Sequence, residues 1–92
     1  QKVIDAEPKH AMAYTNMAYS YRQLGNYKKA VNLYNTALKI QPNLAEAHEY
    51  MGAALVALGK LAEAKEHLVV LEQLNPQLAD QLRAEITKRE RS

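Results

Sequence analysis

The sequence predicts an all-α fold, built as an array of antiparallel helix pairs stacked on one another. One set of apolar and small residues returns after a fixed interval of about 34 residues, which is typical of repeat architectures. Within each copy, apolar residues are spaced three and four positions apart, and this spacing marks one face of a helix. No apolar run approaches the roughly 18 residues that a membrane-spanning helix requires.

The interval is seen by comparing two copies. The first carries Tyr14, Met17, Ala18, Tyr21, Gly25, Ala30, Tyr34, Ala37 and Pro42. The second carries His48, Met51, Gly52, Leu55, Gly59, Ala64, Leu68, Leu71 and Pro76. We therefore expect one domain over 1–92, with the tail of an earlier repeat at 1–8, repeats at 11–44 and 45–78, and a capping helix at 79–92. Because the chain begins at Gln1, we expect it to belong to a longer protein.

The first repeat contains two predicted helices, from about Lys9 to Leu24 and from Tyr27 to near Gln41. Gly25 follows the first helix, where a left-handed C-cap favours a residue without a Cβ atom. Asn26 then suits the N-cap of the second helix. Pro42 ends that helix because it disfavours helical geometry in the residue before it.

The second repeat begins at a predicted capping box, Asn43-x-x-Glu46, in which Asn replaces Ser or Thr. Its first helix ends at Gly59. Its second helix runs from about Leu61 to Leu74 and stops before Pro76.

A fifth helix, from about Leu78, has a different pattern. Leu82 and Ile86 keep an inward apolar face, whereas Glu85 and Arg89 stand at positions that are apolar in both repeats. A helix that is apolar on one side and charged on the other is typical of the cap that a stack needs.

Small residues mark the places where paired helices approach closely. Ala18 and Gly52 occupy one such position, and Ala30 and Ala64 the facing one. Large side chains at the adjoining positions fill the space between the helices, each contributing roughly 1.5–3 kcal/mol before entropy is subtracted.

This spacing resembles that of the tetratricopeptide repeat, W-x-x-L-G-x-x-Y…A-x-x-x-F…P with a period of 34 residues. Both copies match in phase, with His48 the poorest fit. The resemblance covers essentially the whole chain. It implies a right-handed superhelical array that acts as a non-enzymatic scaffold or adaptor and binds a peptide segment of a partner protein in a concave groove.

The resemblance also indicates which residues face the groove. They are Met12, Thr15, Asn16, Tyr19, Arg22, Gln23, Glu46, Glu49, Tyr50, Ala53 and Arg83, with Asp80 and Thr87 on the capping helix. Aromatic, Arg and Met side chains are enriched at protein interfaces. Our specific hypothesis is a peptide held by Asn16, Tyr19, Arg22, Glu49 and Tyr50. The alternative is that these side chains are solvated or packed between repeats.

Some members of the family grip the C-terminal carboxylate of chaperone tails with Lys and Asn. The corresponding positions here carry Thr15, Tyr19 and Tyr50, with basic character only at Arg83. We therefore do not predict binding of chaperone tails.

Two alternatives to peptide binding remain. The face of Tyr14 and Tyr21, next to a partial repeat, could drive assembly of a homo-oligomer. Single-stranded nucleic-acid binding is the less favoured alternative. Residues 11–44 carry a charge of +4 through Arg22, Lys28, Lys29 and Lys39, but residues 45–78 carry −3, and an alternation of sign suits a polyanion poorly.

Neither a catalytic centre nor a cofactor or metal site is predicted. The three histidines, His10, His48 and His67, are not spaced as i,i+3 or i,i+4 pairs, and cysteine is absent. His48 is expected to replace an aromatic packing residue. Ser20 lacks the Gly-x-Ser-x-Gly context of a nucleophile elbow.

Overall fold

The computed structural model describes residues 8–91, with side chains described from His10 onward. These residues form five helices and no strand: α1 (Pro8–Gln23), α2 (Tyr27–Ile40), α3 (Ala45–Ala57), α4 (Leu61–Leu74) and α5 (Pro76–Arg91). The predicted all-α fold is therefore confirmed. The predicted tail of an earlier repeat lies, apart from Pro8, outside the described residues.

The helices pack as two consecutive pairs and a final helix. α1 packs against α2, and α3 packs against α4, as expected for two helix-turn-helix repeats. α3 also contacts both α1 and α2, and α5 contacts both α3 and α4. The first helix of each unit (α1, α3 and α5) therefore lies beside the next.

The turns within the pairs form as predicted. Gly25 and Gly59 have φ angles of 84° and 81°, in the left-handed region that favours glycine. Asn26 caps α2, since its Oδ1 atom accepts a hydrogen bond from the Lys29 backbone N–H at 3.4 Å.

The starts of α3 and α5 differ from the predictions. The prediction of a capping box at Asn43 was wrong. Leu44 is the N-cap of α3, and its side chain makes no capping hydrogen bond. Leu44 is buried, so packing rather than capping sets this entry to the helix. α5 begins at Pro76 rather than near Leu78, because Asn75 Oδ1 accepts hydrogen bonds from the backbone N–H groups of Gln77 and Leu78, at 3.1 and 3.2 Å.

The core lies between the two pairs and α5, and the small residues are fully enclosed in it. Ala18, Ala30 and Ala64 have no exposed surface. Gly52 faces Leu82 of α5, and a Cβ atom added to Gly52 would lie 2.5 Å from Leu82 Cδ2. The close approach of α5 to α3 therefore depends on a residue without a side chain.

Two apolar residues of the predicted helix faces are exposed instead. Met17 exposes 47% of its surface, whereas Met51, one period later, exposes only 5%. α3 has described helices on more sides than α1, which explains the difference. Leu24 follows the last residue of α1 and projects from the turn.

The capping helix, α5, differs from the prediction at one residue, Arg89. Ala79, Leu82 and Ile86 are buried and Glu85 is exposed, in keeping with a one-sided helix. Arg89, expected on the charged outer side, reaches back to α3 and donates a hydrogen bond from Nη1 to the Val56 carbonyl at 2.6 Å. The same carbonyl also accepts a hydrogen bond from the Gly59 backbone N–H at 3.0 Å, so Arg89 adds a second bond to the end of α3.

Candidate functional site

The surface between α1 and α3 carries a cluster of three predicted groove residues, Tyr19, Arg22 and Tyr50, which we call the tyrosine–arginine cluster. The ring centroids of Tyr19 and Tyr50 are 5.3 Å apart and the ring planes are tilted by 48°. The Arg22 guanidinium carbon lies 5.1 Å from the centroid of Tyr19 and 5.7 Å from that of Tyr50. These distances are typical of aromatic pairing and of cation–π contacts.

The local sequence explains how the cluster forms. Tyr19 and Arg22 are three residues apart on α1 and therefore share one face of the helix. Tyr50 comes from α3, and its ring also lies 6.3 Å from that of Tyr34, which is fully buried on α2. Gln23 Nε2 donates a hydrogen bond to Tyr19 Oη at 3.3 Å. The cluster is thus attached to the core at one end while Tyr19 remains 37% exposed at the other.

Glu49 lies close enough to this cluster to interact electrostatically with Arg22, yet it exposes only 5% of its surface. Within residues 8–91, no hydrogen bond or ion pair engages its carboxylate. Burial raises the pKa of the Glu49 carboxyl, Glu85 on α5 raises it further, and Arg22 lowers it. The protein therefore keeps a carboxyl group in a position that disfavours its charge.

A depression of about 190 Å³ lies beside the cluster, where α1, α3 and α5 meet the start of α2. It is lined by Arg22, Gln23, Tyr27, Ala53, Ala57 and Glu85. Three of these, Tyr27, Ala57 and Glu85, were not among the predicted groove residues. The signal that could have indicated the depression is the pair of small residues, Ala53 and Ala57, one turn apart on α3.

Two predicted groove residues have their side chains engaged elsewhere. Thr15 is only 1% exposed, and its hydroxyl donates a hydrogen bond to the Ala11 carbonyl at 2.9 Å, so it is not placed to contact a partner. Arg83 forms ion pairs with Glu72 of α4 and with Asp80, and so turns toward α4.

The remaining predicted residues are exposed along the same helices, outside the cluster. Met12 and Asn16 lie on α1, and Glu46 lies in the first turn of α3. Asp80, Arg83 and Thr87 line a second depression, of about 450 Å³, whose described lining comes from α5 alone. A shallow face on one helix offers a ligand less enclosure than the space between three helices.

A second polar site lies on the side of α3 that faces α4. His48 and His67 are joined through their Nδ1 atoms at 2.9 Å, and His48 Nε2 lies 2.7 Å from the Pro42 carbonyl oxygen. Burial, followed by the neighbouring His48, lowers the pKa of His67 to about 4, although Glu63 acts in the opposite direction. Over the part of the chain that the structure describes, no group of three or more potential metal ligands occurs.

Comparison with known proteins assigns the family. One family model, described as a TPR repeat, matches residues 18–59, and a second, described as a tetratricopeptide repeat, matches residues 1–32. Together they span residues 1–59. The chain belongs to the tetratricopeptide repeat family. Repeats of this family mediate protein–protein interactions, and its members are typically non-enzymatic adaptors.

Similar proteins occur in animals, plants and fungi. The chain is 38% identical to tetratricopeptide repeat protein 12 of Mus musculus over 82 residues, 86% of this chain and 12% of that protein. It is 34% identical to the protein SGT1 homolog of Oryza sativa subsp. japonica over 67 residues, 73% of this chain and 18% of that protein. It is 31% identical to small glutamine-rich tetratricopeptide repeat-containing protein 2 of Mycosarcoma maydis over 65 residues, 71% of this chain and 18% of that protein.

The tetratricopeptide array thus spans less than a fifth of the length of these relatives. Among residues 8–91, no helix combines the length and apolar character needed to cross a bilayer.

Proposed function

We propose that this tetratricopeptide array binds an extended peptide segment of a partner protein across α1 and α3, with the tyrosine–arginine cluster as the central contact. The observation that carries the proposal is the partly exposed ring of Tyr19, held against Tyr50 and Arg22 from two adjacent repeats. Tyr and Arg are the residue types most often found as hot spots at protein interfaces.

The rigidity of the cluster supports this role. Tyr50 is fixed against the buried ring of Tyr34, and Gln23 holds the hydroxyl of Tyr19. A surface whose side chains are already ordered loses less conformational entropy when it binds a ligand. Because these contacts all form within the chain itself, the cluster is organised by its own fold.

The test is binding of a displayed peptide library, and then of individual selected peptides, to the folded chain and to the Tyr19→Ala variant. Truncation of a hot-spot tyrosine costs about 2 kcal/mol, or roughly a 30-fold loss of affinity. Val69→Ala, at an exposed apolar residue of α4, is the matched control. Unchanged affinity in Tyr19→Ala, with helical content intact by circular dichroism, would refute the proposal.

Self-association is a second candidate, favoured by one specific observation. Met17 exposes 47% of its surface on α1, where the equivalent Met51 is buried. An exposed apolar side chain at a position that is packed in the next repeat is suited to contact a second copy. Sedimentation at several concentrations tests this candidate: Met17→Glu should weaken any association, and a strict monomer at high concentration would refute it.

No observation of this kind favours nucleic-acid binding among the described residues. Lys28 lines a depression that also contains the acidic Glu63, and the Lys29 ammonium lies 5.7 Å from the ring of Tyr21. Neither lysine contributes to the tyrosine–arginine cluster or to the depression beside it.

A further inference from the structure

Resting on the proposed peptide-binding function, we infer that the partner segment contributes a lysine or arginine side chain to the depression between α1, α3 and α5. Glu85 lines this depression, and Glu49 lies one helical turn before Ala53 of its lining, so that the two carboxylates receive the positive charge. The partner is therefore a segment with a basic residue at its centre, and not an acidic tail.

The first support is the condition of Glu49. Glu49 as a whole is almost entirely buried, and no other group within residues 8–91 forms a hydrogen bond or ion pair with it, while its carboxylate oxygens keep some contact with solvent and can be reached by a ligand. A buried carboxylate without a partner is destabilising, and such groups in folded proteins are normally paired. An incoming ammonium or guanidinium group supplies the missing partner.

The second support is the balance of charge. Glu85 repels the charge of Glu49, and among the described residues that line the depression Arg22 is the one basic side chain. The Arg22 guanidinium already lies over the rings of Tyr19 and Tyr50. Among the described lining residues Glu85 and Arg22 balance each other, and the carboxylate of Glu49 next to the depression makes the local charge negative, which is complementary to a cation.

The third support is the shape and lining of the depression. Its volume of about 190 Å³ accommodates the end of one long side chain, and Ala53 and Ala57 leave its floor open. Tyr19, which contacts Arg22 of the lining and is partly exposed, offers an aromatic face to the stem or the charged group of a lysine or arginine. An acidic side chain would instead meet the carboxylate of Glu85, with Glu49 nearby.

A binding role and a structural role for Glu49 predict different effects of the substitution Glu49→Gln on the melting temperature. If Glu49 served stability, Glu49→Gln would lower the melting temperature. Because burial disfavours its charge and raises its pKa, we expect Glu49→Gln to leave the melting temperature unchanged or to raise it, while binding of the basic peptide weakens. A gain in stability with a loss of binding is the pattern expected of a functional residue.

The experiment compares three matched libraries of short peptides whose central residue is fixed as Lys, Gln or Glu. We expect the Lys library to give the tightest Tyr19-dependent binders, and the selected peptides to bind Glu49→Gln and Glu85→Gln about tenfold more weakly. Glu66→Gln, which makes the same charge change at an exposed position on α4, should bind them as the natural chain does.

The failures of the two proposals are distinguishable. If the Gln or Glu library binds as well as the Lys library but still requires Tyr19, the preference for a basic residue is refuted and the peptide-binding function stands. The same conclusion follows if Glu49→Gln and Glu85→Gln both keep the full preference for Lys. If binding in all three libraries is independent of Tyr19, the peptide-binding function itself is refuted, and the inference falls with it.

Discussion

The imidazoles of His48 and His67 share one hydrogen bond, with their Nδ1 atoms 2.9 Å apart. His48 Nε2 lies 2.7 Å from the carbonyl oxygen of Pro42, which can only accept, so Nε2 carries a proton. In a neutral His48 ring, Nδ1 is then the acceptor and His67 Nδ1–H donates to it. Two neutral rings satisfy this chain, whereas two protonated rings would place two donors against each other.

This pair predicts that stability falls in mild acid. The pKa of His67 is about 4 in the fold, below its ordinary value of 6.5. Because the folded pKa is depressed, the unfolded chain binds the proton first. The contribution of His67 to the free energy of unfolding is fully present above about pH 6.5. It is lost as the pH falls toward 4 and amounts to on the order of 3 kcal/mol. Urea unfolding at a series of pH values measures the loss.

The double variant His48→Phe with His67→Leu is the comparison for this prediction, since it replaces both rings with apolar side chains. Other groups also titrate in this range, so the relevant quantity is the difference between the slopes of the two proteins. The variant should lose less stability than the natural chain between neutral pH and pH 4. Equal slopes would show that the pair does not titrate on unfolding.

Because Gly52 lies against Leu82, we expect the methyl group added by Gly52→Ala to destabilise the fold. A Cβ atom at Gly52 would lie 2.5 Å from a Leu82 side chain that has no exposed surface and little freedom to move. Overpacking of this kind costs about 1–3 kcal/mol, more than the roughly 1 kcal/mol that Ala gains over Gly in a helix. Gly52→Ala should therefore lower the free energy of unfolding, as measured by chemical denaturation.

A double-mutant cycle isolates the cause. In a Leu82→Ala background the clash is removed, and Gly52→Ala should then become neutral or stabilising. If Gly52→Ala lowers stability equally in both backgrounds, the contact with α5 is not what requires glycine.

We expect the substitution Tyr34→Phe to stabilise the fold. Its side chain is fully buried, and within the described residues its hydroxyl has no hydrogen-bond partner. Burial also raises the pKa of this hydroxyl above its ordinary value. Leaving a buried polar group without a partner costs about 1–3 kcal/mol, so Tyr34→Phe should raise the free energy of unfolding by about 1 kcal/mol. Thermal unfolding measures the change.

Tyr14→Phe, at a half-buried tyrosine of α1, provides the control and should alter stability little. A clear loss of stability in Tyr34→Phe would contradict the prediction, since it would mean that the hydroxyl makes a stabilising hydrogen bond.

The tyrosine–arginine cluster was only partly predictable. The helical period placed Tyr19 and Arg22 on one face of α1, and the repeat register placed Tyr50 on the neighbouring helix. The register could not indicate that Thr15 would bond to its own helix or that Arg83 would pair with Glu72. Both outcomes depend on rotamers and on neighbours distant in the chain.

The scaffold follows from the sequence alone: the helices, their pairing and the small residues between them. These features follow from local spacing and from glycine, asparagine and proline at the turns, which act within a few residues of their own position. Three environments depend on tertiary packing: Glu49 is buried and is repelled by the charge of Glu85, His48 meets His67, and Met17 is exposed where Met51 is buried. Those environments arise from how α1, α3, α4 and α5 stack, and equivalent positions in a repeat differ in burial because their neighbours differ.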